Sequence, residues 1–207
     1  MPDSIIYIID DDDAVRQSLQ FLLKTAGLKA QTFESPRAFF EVLPQITSGC
    51  VITDVRMPDI TGIDLLKKVK QVNPDLPVIV ITGHGDIALA VEAMKIGAMD
   101  FLEKPFDDDH LLAAVRTALD RDAEATRRHA EVAEIHEKLD ALSNRERQVL
   151  EGLVAGNPNK TIAFDLGISP RTVEIYRANL MTKMAANSLS DLVRMSMTAG
   201  ILEKKGR

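Results

Sequence analysis

The 207-residue chain is 45% hydrophobic and 27% charged, with a net charge of −6. These values fit one large or two small globular domains. No apolar run reaches the roughly 18 residues a membrane helix needs, and the start, MPDSIIYIIDDDD, lacks the basic and long apolar regions of a secretory signal. Cys50 is the only cysteine, which excludes an internal disulfide and a Cys-cluster zinc site and points to a reducing cytosol.

The charge is uneven. Residues 1–120 carry 11 Lys/Arg against 19 Asp/Glu (net −8), residues 121–142 carry 4 against 6 (−2), and residues 143–207 carry 10 against 6 (+4). Two domains with different partners are expected. Five short β-branched or apolar stretches read as strands: 5–9, 28–33, 50–53, 77–81 and 98–102. Amphipathic stretches at 14–26, 36–43, 62–71, 86–96 and 107–119 alternate with them. In 14–26, Val15, Leu19, Leu22, Leu23 and Ala26 recur at helical spacing. Such alternation predicts an α/β doubly wound parallel sheet with helices on both faces. Ligands in that fold bind beyond the carboxyl ends of the strands.

From Asp107 to about Leu142 there is no Gly or Pro, and residues 119–142 are rich in helix formers. A helical linker is expected over 121–142. Val132, Ile135, Leu139 and Leu142 form a heptad-like seam, which is too short to decide between a coiled coil and a solvated helix. Beyond it four helices are predicted. Ser143 and Glu146 form a capping box before 144–156, 159–169 stops near Gly167, Ser169 and Pro170 open 169–184, and 188–200 is the fourth.

The run Asp10 to Asp13 poses an electrostatic problem. Two unit charges about 4 Å apart repel by roughly 4 kcal/mol at an effective dielectric near 20. Asp10 and Asp11 end the first predicted strand, Asp54 follows the third, Thr82 the fourth, and Lys104-Pro105 the fifth. Singly, each is ordinary: a loop acid, a helix cap, a turn. Together, at the edge where this fold gathers its strand ends, they make a site of three converging carboxylates. Mg²⁺ suits such oxygen donors, Lys104 suits phosphate, and a carboxylate can accept a phosphoryl group. Asp13 is expected to cap the following helix, leaving Asp12 replaceable. An EF-hand reading fails, because the sixth residue from Asp10 is Val15 and the twelfth is Phe21. A phosphohydrolase acting on small molecules would need a pocket-building insertion that the chain lacks.

Residues 4–120 resemble a response-regulator receiver domain. The carriers are Asp10/Asp11, DVRMPDITG at 54–62, Thr82, Lys104-Pro105 and Phe101. The resemblance implies sheet order 2-1-3-4-5 and a phosphoacceptor, Asp54, served by a sensor histidine kinase. It implies Mg²⁺ held by Asp11, Asp54 and the Arg56 main-chain carbonyl, with Asp10 acting through water. It assigns phosphate binding and switching to Lys104, Thr82 and Phe101, a cis Lys104–Pro105 bond, and a dimer face at Ile87, Val91 and Lys95. Self-phosphorylation and slow self-dephosphorylation would be the only chemistry; the chain is otherwise not expected to be an enzyme.

Residues 143–200 resemble the four-helix LuxR-type DNA-binding domain, through SNRERQVL, AGNPNKTIAFDLGIS and TVEIYRANLMTKM. NKTIAFDLGISPRTVEIYRANL also reads independently as a helix-turn-helix, which argues against an RNA-binding antiterminator. Lys160, Arg171, Thr172, Glu174, Arg177 and Lys183 are the expected DNA contacts, Lys160 and Lys183 toward phosphates. Domain bounds of 1–120, 121–142 and 143–207 follow. Stretches 78–86 and 158–166 resemble regulators of rhizobial nitrogen fixation. The whole implies a cytoplasmic transcription activator: a monomer that dimerises on phosphorylation, binds promoter DNA and engages RNA polymerase.

Overall fold

The structure is a computed structural model, described over residues 4–83 and 87–201. The chain divides into two compact units after Thr126. In the first, β1 (Ile5–Ile9), β2 (Lys29–Phe33), β3 (Cys50–Asp54), β4 (Val78–Thr82) and β5 (Asp100–Glu103) pair in parallel in the order β2-β1-β3-β4-β5. Asp54 and Thr82 are therefore the last residues of their strands, where the sequence placed them just beyond.

The pleat sorts side chains onto two faces. Tyr7, Ile9, Val51, Val78 and Val80 pack with α2 (Pro36–Val42), α3 (Gly62–Val72) and α4 (Ile87–Ile96). Ile6, Ile8, Cys50, Ile52, Ile79 and Ile81 pack with α1 (Asp13–Thr25) and the first turns of α5 (Asp108–Asp140). Both faces of β1, β3 and β4 are covered, which is why those stretches are almost wholly apolar. β2, at the edge, alternates exposed Lys29 and Gln31 with more buried residues.

Helix α5 is continuous for 33 residues, and the expected linker over 121–142 is divided between the two units. Asp122 is buried and accepts the Gly49 N–H at 2.9 Å, so this turn belongs to the first unit. Ile135, Leu139 and Leu142 are buried in the core of the second. Three of the four seam residues thus share a core with α6 (Asn144–Val154), α7 (Asn159–Leu166), α8 (Pro170–Met184) and α9 (Leu189–Thr198), while Val132 is only half-buried. Gly152 lets α6 and α7 approach, since a Cβ there would stand 2.7 Å from the Ile162 side chain. Gly167 ends α7 with φ +65°, a left-handed cap that glycine adopts without strain.

The capping signals hold at α6, where Ser143 and Glu146 make both bonds of the box, and at α8, where Ser169 caps ahead of Pro170. They shift by one residue at α1. Asp12 is the N-cap, its carboxylate accepting the Ala14 N–H at 2.8 Å, and Asp13 is the first helical residue, paired with Arg16 at 2.9 Å. Asp12 is thus not replaceable at no cost. Asp12→Ala is expected to lower the stability of the first unit by about 1 kcal/mol in urea unfolding while leaving Asp54 competent for phosphorylation.

Candidate functional site

Four strand ends bring Asp10, Asp54, Thr82 and Lys104 to one edge of the sheet. The Lys104 ammonium lies 2.8 Å from Asp54 Oδ1 and 3.2 Å from Asp10 Oδ2. The other Asp54 oxygen accepts the Arg56 N–H at 2.6 Å. The other Asp10 oxygen accepts the Asp12 N–H at 2.9 Å. Arg16 closes the corner by donating to the Asp10 carbonyl at 2.7 Å. Gly62 crosses so close under this edge that a Cβ would collide with the Asp54 carbonyl, and its N–H donates to the Val55 carbonyl at 2.9 Å. Any side chain at position 62 would push the acceptor strand out of line. The Lys104–Pro105 bond is cis.

Burial raises the Asp10 carboxyl above its ordinary range, against the opposing pull of the Asp12 amide and Lys104. Burial alone would lower Lys104, but its hydrogen bond to Asp54 and the charges of Asp10 and Asp54 outweigh that and raise it. The ammonium is held charged between two buried carboxylates.

The three carboxylates do not converge as a set. Asp10 and Asp54 meet through Lys104, whereas Asp11 is exposed and lines an open cleft with Arg56, Met57 and Thr61. Among the described residues, no group of three or more His, Cys, Asp or Glu is arranged to hold a metal ion. The donor chemistry nevertheless fits a hard divalent cation. Three carboxylates against one ammonium leave two negative charges, and Mg²⁺ characteristically takes one or two carboxylates and completes its shell with water. Asp11 lines the cleft together with Val55 and Arg56, the two residues that follow Asp54 in the chain.

In the second unit, α8 buries Val173, Leu180 and Met184. Its opposite face exposes Arg171, Glu174, Ile175, Ala178, Asn179 and Thr182, which share one side at offsets of three and four. Sequence reading had named Arg171 and Glu174 of these. It missed Ile175, 56% exposed, because an isoleucine in a helix is read by default as core. Thr172 is tied back to the cap, its hydroxyl 2.8 Å from that of Ser169. Arg177 is half-buried. Lys160 is exposed on α7. Lys183 points elsewhere: its ammonium sits 2.7 Å from Glu146 Oε2 and 3.2 Å from the Ala141 carbonyl. Its charge is paired within the domain.

Residues 6–116 match the response regulator receiver domain family. The chain belongs to that family. Residues 140–196 match the bacterial regulatory proteins of the luxR family, so this is a two-component response regulator with a LuxR-type DNA-binding domain. It is similar to the transcriptional regulatory protein FixJ of Azorhizobium caulinodans, 56% identical over 202 residues that cover 97% of this chain and 96% of that one. Among solved structures it is similar to full-length FixJ from B. japonicum (52% identity, TM-score 0.59, covering 97% of this chain and 99% of that one). It is also similar to the response regulator StyR (37% identity, TM-score 0.83, covering 94% and 98%).

In this response regulator Thr82 is buried at the end of β4, and its carbonyl accepts the Lys104 N–H at 2.7 Å. Phe101 is half-buried and packs against the core on the α3/α4 face. α4 exposes Ile87 (81%), Val91 (46%) and Met94 (49%), with Lys95 beside them. Met94 completes a ridge at spacings of four and three that the sequence contained and the reading passed over.

The Glu146–Lys183 contact yields a pH prediction. Lys183's hydrogen bond, then the Ser143 amide, hold the buried Glu146 carboxyl below its ordinary value of 4.5. A depressed carboxyl stabilises the fold above its unfolded pKa, and that contribution is lost as pH falls through the folded value. Glu146→Gln is expected to lower the second unit's stability by about 2 kcal/mol at pH 7. The gap to the parent protein should narrow as pH drops below 4.5, which calorimetry across pH would read.

Proposed function

We propose that Asp54 accepts a phosphoryl group from the phosphohistidine of a sensor kinase and that this controls DNA binding by the second unit. The observation that carries the reading is the Lys104 ammonium, fixed at 2.8 Å from Asp54 and 3.2 Å from Asp10 on the strand-end edge. An Asp54 oxygen attacks phosphorus, the P–N bond breaks, and the histidine nitrogen departs with the electron pair. Lys104 is placed to compensate the charge that arrives, and the Arg56 N–H orients the carboxylate. A bound Mg²⁺, held by Asp11, Asp54 and the Arg56 carbonyl with Asp10 reaching it through water, would supply further neutralisation of the phosphoryl oxygens.

Phosphorylation replaces the single charge of the Asp54 carboxylate with the about −1.5 to −2 carried by a phosphoryl group. Thr82 ends the neighbouring strand, and its hydroxyl moves to bond the new phosphate while Phe101 turns further inward. The α4 ridge at Ile87, Val91 and Lys95 then pairs with a second copy. Two DNA-binding units on one two-fold operator bind better than one. Arg171 and Glu174 reach base edges and Lys160 a phosphate; Thr172 and Arg177 flank them. The similarity to FixJ supports nitrogen-fixation promoters as targets, activation through RNA polymerase and a cytoplasmic site of action.

Peptide mapping by mass spectrometry after incubation with acetyl phosphate and Mg²⁺ tests the chemical step. The expected result is one phosphorylated peptide containing Asp54. A phosphoryl group on another residue overturns the assignment.

A further inference from the structure

The exposed face of α8 carries an isoleucine where solvent alone would favour a polar residue. Ile175 is 56% exposed, while Val173, Leu180 and Met184 are fully buried on the other side. It is not a slipped core residue, because the interior of this unit is already supplied by that opposite stripe and by Ile162, Leu150 and Leu192. One helical turn before it stands exposed Arg171, and beside it exposed Glu174. A face with one cation and one anion around an apolar centre is poorly suited to a phosphate backbone, which asks for cations throughout. It suits base edges, which offer donors, acceptors and one apolar group. In the major groove that apolar group is the C5-methyl of thymine. Isoleucine is β-branched and stiff at χ1 in a helix, so its methyl groups are held in a defined place.

We propose that Ile175 is a specificity-determining residue that reads a thymine methyl in the major groove, next to a base contacted by Arg171. The proposal rests on the reading of α8 as the helix that enters that groove. Arg171 lies one turn nearer the N-terminus, and such helices present their first residues to the bases. The contact pair is therefore ordered along the site, with the thymine read one turn further along the helix than the base met by Arg171.

The test uses the full-length phosphorylated protein and a duplex selected by it from random sequence. Each thymine of one half-site is replaced in turn by deoxyuridine, which removes only the methyl group. The parent protein should bind about fourfold more weakly when one particular thymine is replaced, the value of one buried methyl-sized group. Ile175→Ala should bind the thymine and uracil duplexes equally, and Ile175→Val should retain most of the discrimination. Because residue 175 is exposed, both variants should fold as the parent does. A protein that binds the duplex but discriminates at no thymine overturns this proposal and leaves the DNA-binding reading standing. So does a discrimination that persists in Ile175→Ala. Selection of no duplex overturns both.

Discussion

Asp54→Asn is expected to take up no phosphoryl group from acetyl phosphate or from a kinase, and to lose every phosphorylation-dependent change in assembly and DNA affinity. An amide is a poor nucleophile, so the substitution removes the reacting group. It also removes one negative charge from an edge where two buried carboxylates face one ammonium. Its carbonyl can still accept from Lys104 or Arg56, which hold the carboxylate at 2.8 and 2.6 Å. The fold should survive, and circular dichroism with sedimentation would confirm that the loss is chemical. Measurable phosphate uptake by this variant would place the acceptor elsewhere.

Lys104→Ala is expected to have the largest effect on stability. It leaves Asp10 and Asp54, 4% and 9% exposed, without their shared counter-charge. Removing one partner from a buried pair costs about 3–5 kcal/mol, and the lower end applies because the lysine side chain is 26% exposed. The effect depends on pH. Burial already raises Asp10 from its ordinary 3.8. A raised carboxyl contributes stability at low pH, and that contribution is lost as pH rises through its folded value. Without Lys104 the value rises further, so the variant's deficit should be greatest at pH 7 and shrink on acidification toward 4. Urea unfolding at both pH values reads this. Phosphate uptake should fall as well, because Lys104 also positions the acceptor and meets the incoming charge.

Much of this site is visible in the sequence because β-strands expose their logic. β1, β3 and β4 are largely apolar runs that end in, or lead directly into, a polar residue, and a parallel doubly wound sheet delivers all such ends to one edge. The helical features are less legible. A helix of Ala, Glu and Arg announces itself but not its neighbours. Nothing in the spacing of Asp122 or Ile135 said that one belongs to the first core and the other to the second. The choice between Asp12 and Asp13 as cap depends on where φ and ψ turn helical, a one-residue question that two identical side chains cannot answer. Helix phase also places Lys183 and Ile175 where residue type alone does not. Lys183 turns to Glu146, and Ile175 lies 56% exposed.

The central claim is that chemistry at Asp54 governs DNA binding by the second unit. The most direct measurement is the affinity of the full-length protein for its selected duplex, with and without acetyl phosphate and Mg²⁺, for the parent and for Asp54→Asn. A coupling of about 1–3 kcal/mol corresponds to roughly five- to 150-fold tighter binding on phosphorylation. The parent should gain affinity in that range and Asp54→Asn should gain none. Equal affinity of the phosphorylated and unphosphorylated parent would contradict it.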